Sequence, residues 1–210
     1  MKQNRAKPDP RIIRTRNLLK HALIELVPEK GFECLTVQDI TDRATLNRAT
    51  FYLHYKDKHE LLLDAFDSLI SDVTPVPHNL KTVSPEYTHQ ILLSVFNHIA
   101  EYSDFYCKML GKEGDPLFIT RVREYVMMVA LNWFEYLQPD KTKTLVPLEI
   151  ITNFLASAYL GTILWWLENG MKQSGEYMAS QLVCMTLNSM RHLLGLDEDP
   201  DFDGGLLDDS

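Results

Sequence analysis

Arg48, Ala49, Thr50, Tyr52 and His54 present a run of small to medium, mostly hydrogen-bonding side chains, while Phe51 and Tyr55, four apart, share a helical face that would turn inward. Side chains of this kind carry out no reaction by themselves. On the outer face of a short helix they suit the donors and acceptors that base edges offer in a DNA major groove. Arrangements for covalent chemistry are missing: there is no GxSxG, no glycine-rich phosphate loop, no HExxH and no Cys/His metal spacing. His59-Glu60 begins like a zinc-protease motif, but Leu63 stands where the second histidine would be needed. The expectation is therefore a binding protein with no catalytic residues, no metal and no cofactor.

Holding such a face in place takes two short helices and a tight turn. Thr36 with Asp39 has the form of a capping box, in which hydroxyl and carboxylate satisfy backbone N–H groups reciprocally. Asn47 can cap the next helix in the same way. Val37, Ile40 and Ala44 fall on one face of the first helix, and Thr45-Leu46-Asn47 is left as the turn. A helix-turn-helix sets the N-terminal end of its second helix into the major groove, here the helix from Asn47 to His54.

Gly31-Phe32, Thr36-Val37, Ile40, Ala44, Thr50-Phe51-Tyr52, His54-Tyr55 and Lys58 before Glu60-Leu61-Leu62 keep order and spacing together. In these residues the chain, to about residue 65, resembles the N-terminal DNA-binding domain of the TetR family of transcriptional regulators. The resemblance implies base contacts from Gln38, Arg48, Ala49 and Thr50, and phosphate contacts from Thr36, Tyr52, His54 and Lys58. Arg48 can pair bidentately with guanine and Gln38 suits adenine, while phosphate contacts set register. Phe51 and Tyr55 are assigned to packing. One departure stands out: Thr45 occupies a turn position where the family has glycine. Either the turn is of another type or a β-branched residue is held at positive φ under strain.

Upstream, Ile12, Leu19, Leu23, Leu26 and Val27 fall at helical spacing, with Arg14, Thr15 and Arg16 near the start, where side chains could meet phosphate. Pro28 predicts a kink or tightening before Gly31 ends that helix. Asp57 with Glu60 caps a fourth helix, whose Leu61, Leu62, Ala65, Phe66, Leu69 and Ile70 link the DNA-reading part to the rest of the chain. Val73 to Val83, with Pro75 and Pro77, reads as a boundary, and Ser84-Pro85 as a new helix start. A short helix spans about 103 to 110, and a longer one opened by Asp115-Pro116 carries the stripe Phe118, Val122, Val126, Val129, Trp133 and Leu137. Two closing helices, about 147 to 169 and 175 to 194, are apolar on more than one side. Ile151, Phe154, Leu155, Trp165 and Trp166 on one, and Met178, Leu182 and Met185 on the other, exceed what one subunit can bury. In the family such helices form a four-helix dimer interface.

The fold class expected is all-α. Residues 1–10 form a disordered basic arm, 11–56 the helix-turn-helix domain and 57–73 the linking helix. Residues 74–196 form the regulatory and dimerisation domain, and 197–210 an acidic disordered tail with seven acids and no base. The formal net charge of -8 divides unevenly: residues 1–60 hold twelve Lys/Arg against eight Asp/Glu, and residues 61–210 nine against twenty-one. Phosphate binding needs only local positive potential, which the first part supplies.

Three cysteines, Cys34, Cys107 and Cys184, offer no paired framework and point to free thiols in a reducing compartment. The basic N-terminus lacks the apolar core of a signal peptide, and the longest apolar run, Ala158 to Leu167, falls short of the ~20 residues of a membrane span. A cytoplasmic location with no membrane partner is the expectation.

Together these features describe a homodimeric regulator, most simply a repressor, on a pseudo-palindromic DNA operator, released by a small apolar or aromatic effector. His98, Tyr102, Met109, Tyr125, Met128, Asn132, Trp133 and Trp165 are the residues expected to line its pocket. An activator or adaptor under a protein partner, or an all-α carrier of an apolar molecule, are the other readings of the same residues.

Overall fold

A computed structural model describes residues 9–71, 73, 85–112, 114–138 and 140–195. The expected basic arm up to residue 8, the boundary from 74 to 83, the Ser84 cap and the acidic tail lie outside the described residues. Nine α-helices account for most of the described chain: α1 Pro10–Lys30, α2 Val37–Arg43, α3 Arg48–Tyr52, α4 Lys58–Ser71, α5 Pro85–Glu101, α6 Ser103–Leu110, α7 Pro116–Leu137, α8 Leu148–Glu168 and α9 Gly175–Leu193. A 3-10 turn, Lys141–Lys143, joins α7 to α8 and has no counterpart among the sequence signals.

Local signals fix most of the boundaries. Asp9 caps α1, accepting from the Arg11 amide at 2.9 Å with Pro10 at the first position. Asp115 does the same for α7, accepting from the Phe118 amide at 2.8 Å ahead of Pro116. Pro28 does not end α1, which continues to Lys30 before Gly31 takes φ +74°. At this position the missing N–H costs one bond near a helix end, less than in mid-helix.

The first four helices pack around α1. Leu19, Leu23, Leu26 and Val27 of α1 meet Phe32, Leu35, Ile40, Phe51, Leu61 and Leu62, all buried. This cluster runs without a break into the later helices: Phe66 of α4 meets Phe118 of α7 edge to face at 5.3 Å, and Phe96 of α5 meets Trp166 of α8 at 5.1 Å. Beyond it α5 lies along α9 and α7 along α8. A second, smaller cluster of Phe134, Leu148, Ile151, Leu155, Met190 and Leu194 closes the far end.

α8, 21 residues long, contains an 18-residue stretch of mean hydropathy 1.4 and is by length and composition apolar enough to cross a membrane. Length and composition alone give that result, and the core helix of a globular protein meets the same condition. Ile151, Leu155 and Trp166 of α8 are buried inside this protein, whereas Ile150, Phe154 and Trp165 face outward. The three cysteines are free and exposed.

Candidate nucleic-acid interface

The turn between α2 and α3 is built at the residue level as the capping residues dictate. Thr36 accepts from the Asp39 amide at 3.1 Å, and Asp39 accepts from the Thr36 amide at 2.9 Å, closing the capping box. Lys30 also reaches the Asp39 carboxylate. Hydrogen bonds from Lys30 first, then from the Thr36 hydroxyl and amide, hold that carboxyl well below its ordinary range. Thr45 is the residue that turns the chain, at φ +56°. Of the two alternatives open at this position, the protein adopts the strained one.

Asn47 caps α3, its side-chain oxygen accepting from both the Thr50 amide at 2.8 Å and the Thr50 hydroxyl at 3.0 Å. With its proton so committed, the Thr50 hydroxyl offers lone pairs outward. Arg48 is exposed, and its guanidinium lies 5.9 Å from the Tyr52 ring centre with an N–H to the Tyr52 hydroxyl at 3.3 Å. Ala49 is exposed beside it. Gln38 on α2 donates from Nε2 to Asp42 Oδ1 at 2.6 Å, leaving its carbonyl and one N–H. Gln38 lies on α2 and the other three on α3, two helices that touch. The second helix is shorter than expected, since α3 stops at Tyr52 and His54 sits half-buried in the turn after it.

Lys58 is engaged within the protein. Its ammonium donates to the carbonyl oxygens of Phe32 at 2.8 Å, Glu33 at 3.0 Å and Leu35 at 3.1 Å, and lies 4.6 Å from the Phe32 ring centre. An ammonium has three N–H groups, and all three are used. In this geometry Lys58 ties the loop after α1 to the start of α4.

A polar network beneath α3 has almost no signal in the sequence. Tyr55 packs 5.9 Å from Phe51 as expected, but its hydroxyl donates to Asp64 Oδ2 at 2.6 Å and accepts from Arg16 Nε at 3.1 Å. Asp64 is paired with Arg16 at 3.1 Å and Lys20 at 3.5 Å, and Lys20 also donates to the Ser68 hydroxyl at 2.7 Å. Burial pushes the Asp64 carboxyl up, yet the Tyr55 hydrogen bond and the Lys20 and Arg16 charges bring it below its ordinary range. Burial, then the bond to Asp64, raises the Tyr55 hydroxyl. Asp64 and Ser68, four apart along α4, are the only hint that the linking helix has a polar seam.

The eight residues expected to line a pocket are found in different surroundings. Met109 is fully buried, Tyr125 packs 6.1 Å from Phe66, and Trp133 stacks on Tyr87 at 5.8 Å. Met128, Asn132 and Trp165 are exposed. Of the eight, His98 and Tyr102 alone border a cleft that the described residues enclose, open to one side and about 580 Å³ in volume, between α1, α4 and α5.

Two family models match the chain: "Bacterial regulatory proteins, tetR family" over residues 19–65, and "Transcriptional regulator C-terminal region", a TetR C-terminal model, over residues 86–188. The Bacillus subtilis (strain 168) protein "Uncharacterized HTH-type transcriptional regulator YxbF" is 28% identical over 185 residues, 83% of this chain and 45% of that protein. The chain thus spans under half the length of that relative. Among solved structures, a TetR transcriptional regulator from Streptococcus agalactiae 2603V superposes with TM-score 0.64 at 24% identity, covering 83% of this chain and 94% of that one. The Bacillus subtilis regulator FadR, solved in complex with stearoyl-CoA, superposes with TM-score 0.63 at 14% identity, covering 85% and 98%. A capped helix-turn-helix at the N-terminal end, an all-helical body and matches of both parts to one family's models lead to one conclusion: the chain belongs to the TetR family of transcriptional regulators.

Proposed function

We propose that the protein acts in the cytoplasm as a homodimeric repressor, with α3 of each subunit in a major groove of a pseudo-palindromic operator. The observation that carries this reading is the pair α2–α3, with Arg48, Ala49 and Thr50 at the N-terminal end of the Asn47-capped α3 and Gln38 on α2, which touches it. Arg48, spread over Tyr52, pairs with guanine. Gln38, with one N–H and its carbonyl left over, matches the acceptor and donor of adenine. Thr36, Tyr52 and His54 lie close by for phosphate, and Arg11 and Arg14 are exposed on α1. Ile150, Phe154 and Trp165 of α8 with Tyr177 and Met185 of α9 form the outward apolar surface that a second copy covers. An effector that alters how the two heads are spaced would release DNA, because half-sites about 34 Å apart fix where both helices sit.

Selection from a genomic fragment library tests this. Wild type is expected to enrich a palindrome that Arg48→Ala does not, at each of two salt concentrations. Equal enrichment by both proteins would remove α3 from base reading.

A further inference from the structure

The cleft between α1, α4 and α5 lies where the DNA-reading helices meet the body, and at about 580 Å³ it has the size of a small-molecule site. Its α1 wall carries Asn17, Lys20, His21 and Ile24, one side of a helix at spacings of three and four. Ala65 and Leu69 of α4 form an apolar floor, and Tyr102 closes the side towards α6. Tyr102 is itself held, its ring 4.9 Å from His98, whose Nε2 lies 2.9 Å from the Tyr106 hydroxyl. Glu101, exposed, stands at the rim and is the one carboxylate in the lining.

Among the described residues, the Lys20 ammonium is the charged group placed both in this lining and in the network below α3. It touches Asp64 at 3.5 Å and Ser68 at 2.7 Å, and Asp64 in turn accepts from the Tyr55 hydroxyl three residues past the end of α3. An acid group entering the cleft would meet Lys20 with His21 and Asn17 beside it. The remaining apolar part of such a molecule would lie on Ile24, Ala65 and Leu69.

We propose that this cleft is an effector site for a small organic anion, whose acid group draws Lys20 away from Asp64 and so removes one of the two cations that fix the carboxylate on which Tyr55 seats the recognition helix, leaving it to turn. The proposal rests on the DNA-binding reading only for its consequence; the site itself is tested without DNA. The apolar stripe of α7 plays no part in it.

Benzoate and benzamide differ in charge but hardly in shape, and titration of each into the purified protein by calorimetry and heteronuclear NMR separates an anion site from an apolar one. Benzoate is expected to bind saturably at millimolar concentration and benzamide roughly tenfold or more weakly. Ser94→Trp fills the cleft from an exposed position outside the network, and should abolish benzoate binding while leaving the folded spectrum intact. Lys20→Met should weaken it roughly tenfold, and His21→Ala, at an exposed position, should also weaken it. Equal binding of the two compounds, no saturable benzoate binding, or benzoate binding untouched by Ser94→Trp would overturn the site. For the coupling, saturating benzoate should lower wild-type affinity for the selected operator but not that of Ser94→Trp. Benzoate binding with unchanged operator affinity overturns the Lys20 relay alone, whereas a protein that takes benzoate but no DNA overturns the repressor reading alone.

Discussion

At Lys58 three carbonyl oxygens surround an ammonium with three donors, and that match decides what the residue can do. Lys58→Met is expected to cost about 1–3 kcal/mol of stability by urea denaturation, since it leaves carbonyls half-satisfied. The salt slope of operator binding should stay as it is; a slope flattened by about one unit with stability unchanged would return Lys58 to phosphate. Thr45 at φ +56° is the converse case, a residue kept in a conformation glycine takes freely. Thr45→Gly should raise the thermal midpoint, by about 1 kcal/mol in stability at most. Asp64 carries a pH dependence. Its folded-state carboxyl titrates below its ordinary value, so its contribution is present above the unfolded pKa of about 3.9 and is lost as pH falls through the lower folded value. Asp64→Asn should therefore destabilise by about 1–2 kcal/mol at neutral pH, allowing for solvent screening, with the gap from wild type closing below about pH 4.

At the scale of elements, α4 is the shared part of head and body. Its inner face packs Phe66 on Phe118, while His59 approaches the buried Asp115 carboxylate at 3.4 Å and Asp67 pairs with Arg121 at 2.8 Å. Phe66→Ala is expected to cost about 3–5 kcal/mol and to weaken the hold of α7 on the head, which calorimetry would show as a broadened or divided unfolding transition. These contacts also show what the sequence could and could not disclose. Caps are local, so Thr36 with Asp39, Asn47, Asp57 and Asp115 announced four helix starts correctly, the last three through single side chains. The bonds of Lys58 span 23 to 26 residues, and Lys20 to Ser68 spans 48. No spacing rule reaches that far. The pocket is a related case: a stripe shows which side of a helix is apolar and says nothing of whether its neighbour closes on it or stands off.

On the scale of the whole molecule, α8 and α9 carry apolar residues on two sides, and the structure uses one. Ile151, Leu155, Trp166, Met178 and Leu182 are buried, while Phe154 is 61% exposed and Trp165 49% exposed. That outward surface was legible in the sequence as an excess of apolar residues; what covers it was not, since no single chain contains the answer. Phe154→Glu should convert dimer to monomer in analytical ultracentrifugation with the helical content kept. The central claim is that two copies read two half-sites together through α3. It is tested most directly by equilibrium binding to the enriched palindrome and to a version whose half-sites are moved apart by half a helical turn, about five base pairs. The account predicts that the shifted site, like Arg48→Ala on the original, falls to non-specific affinity. Binding indifferent to both spacing and Arg48 would contradict it.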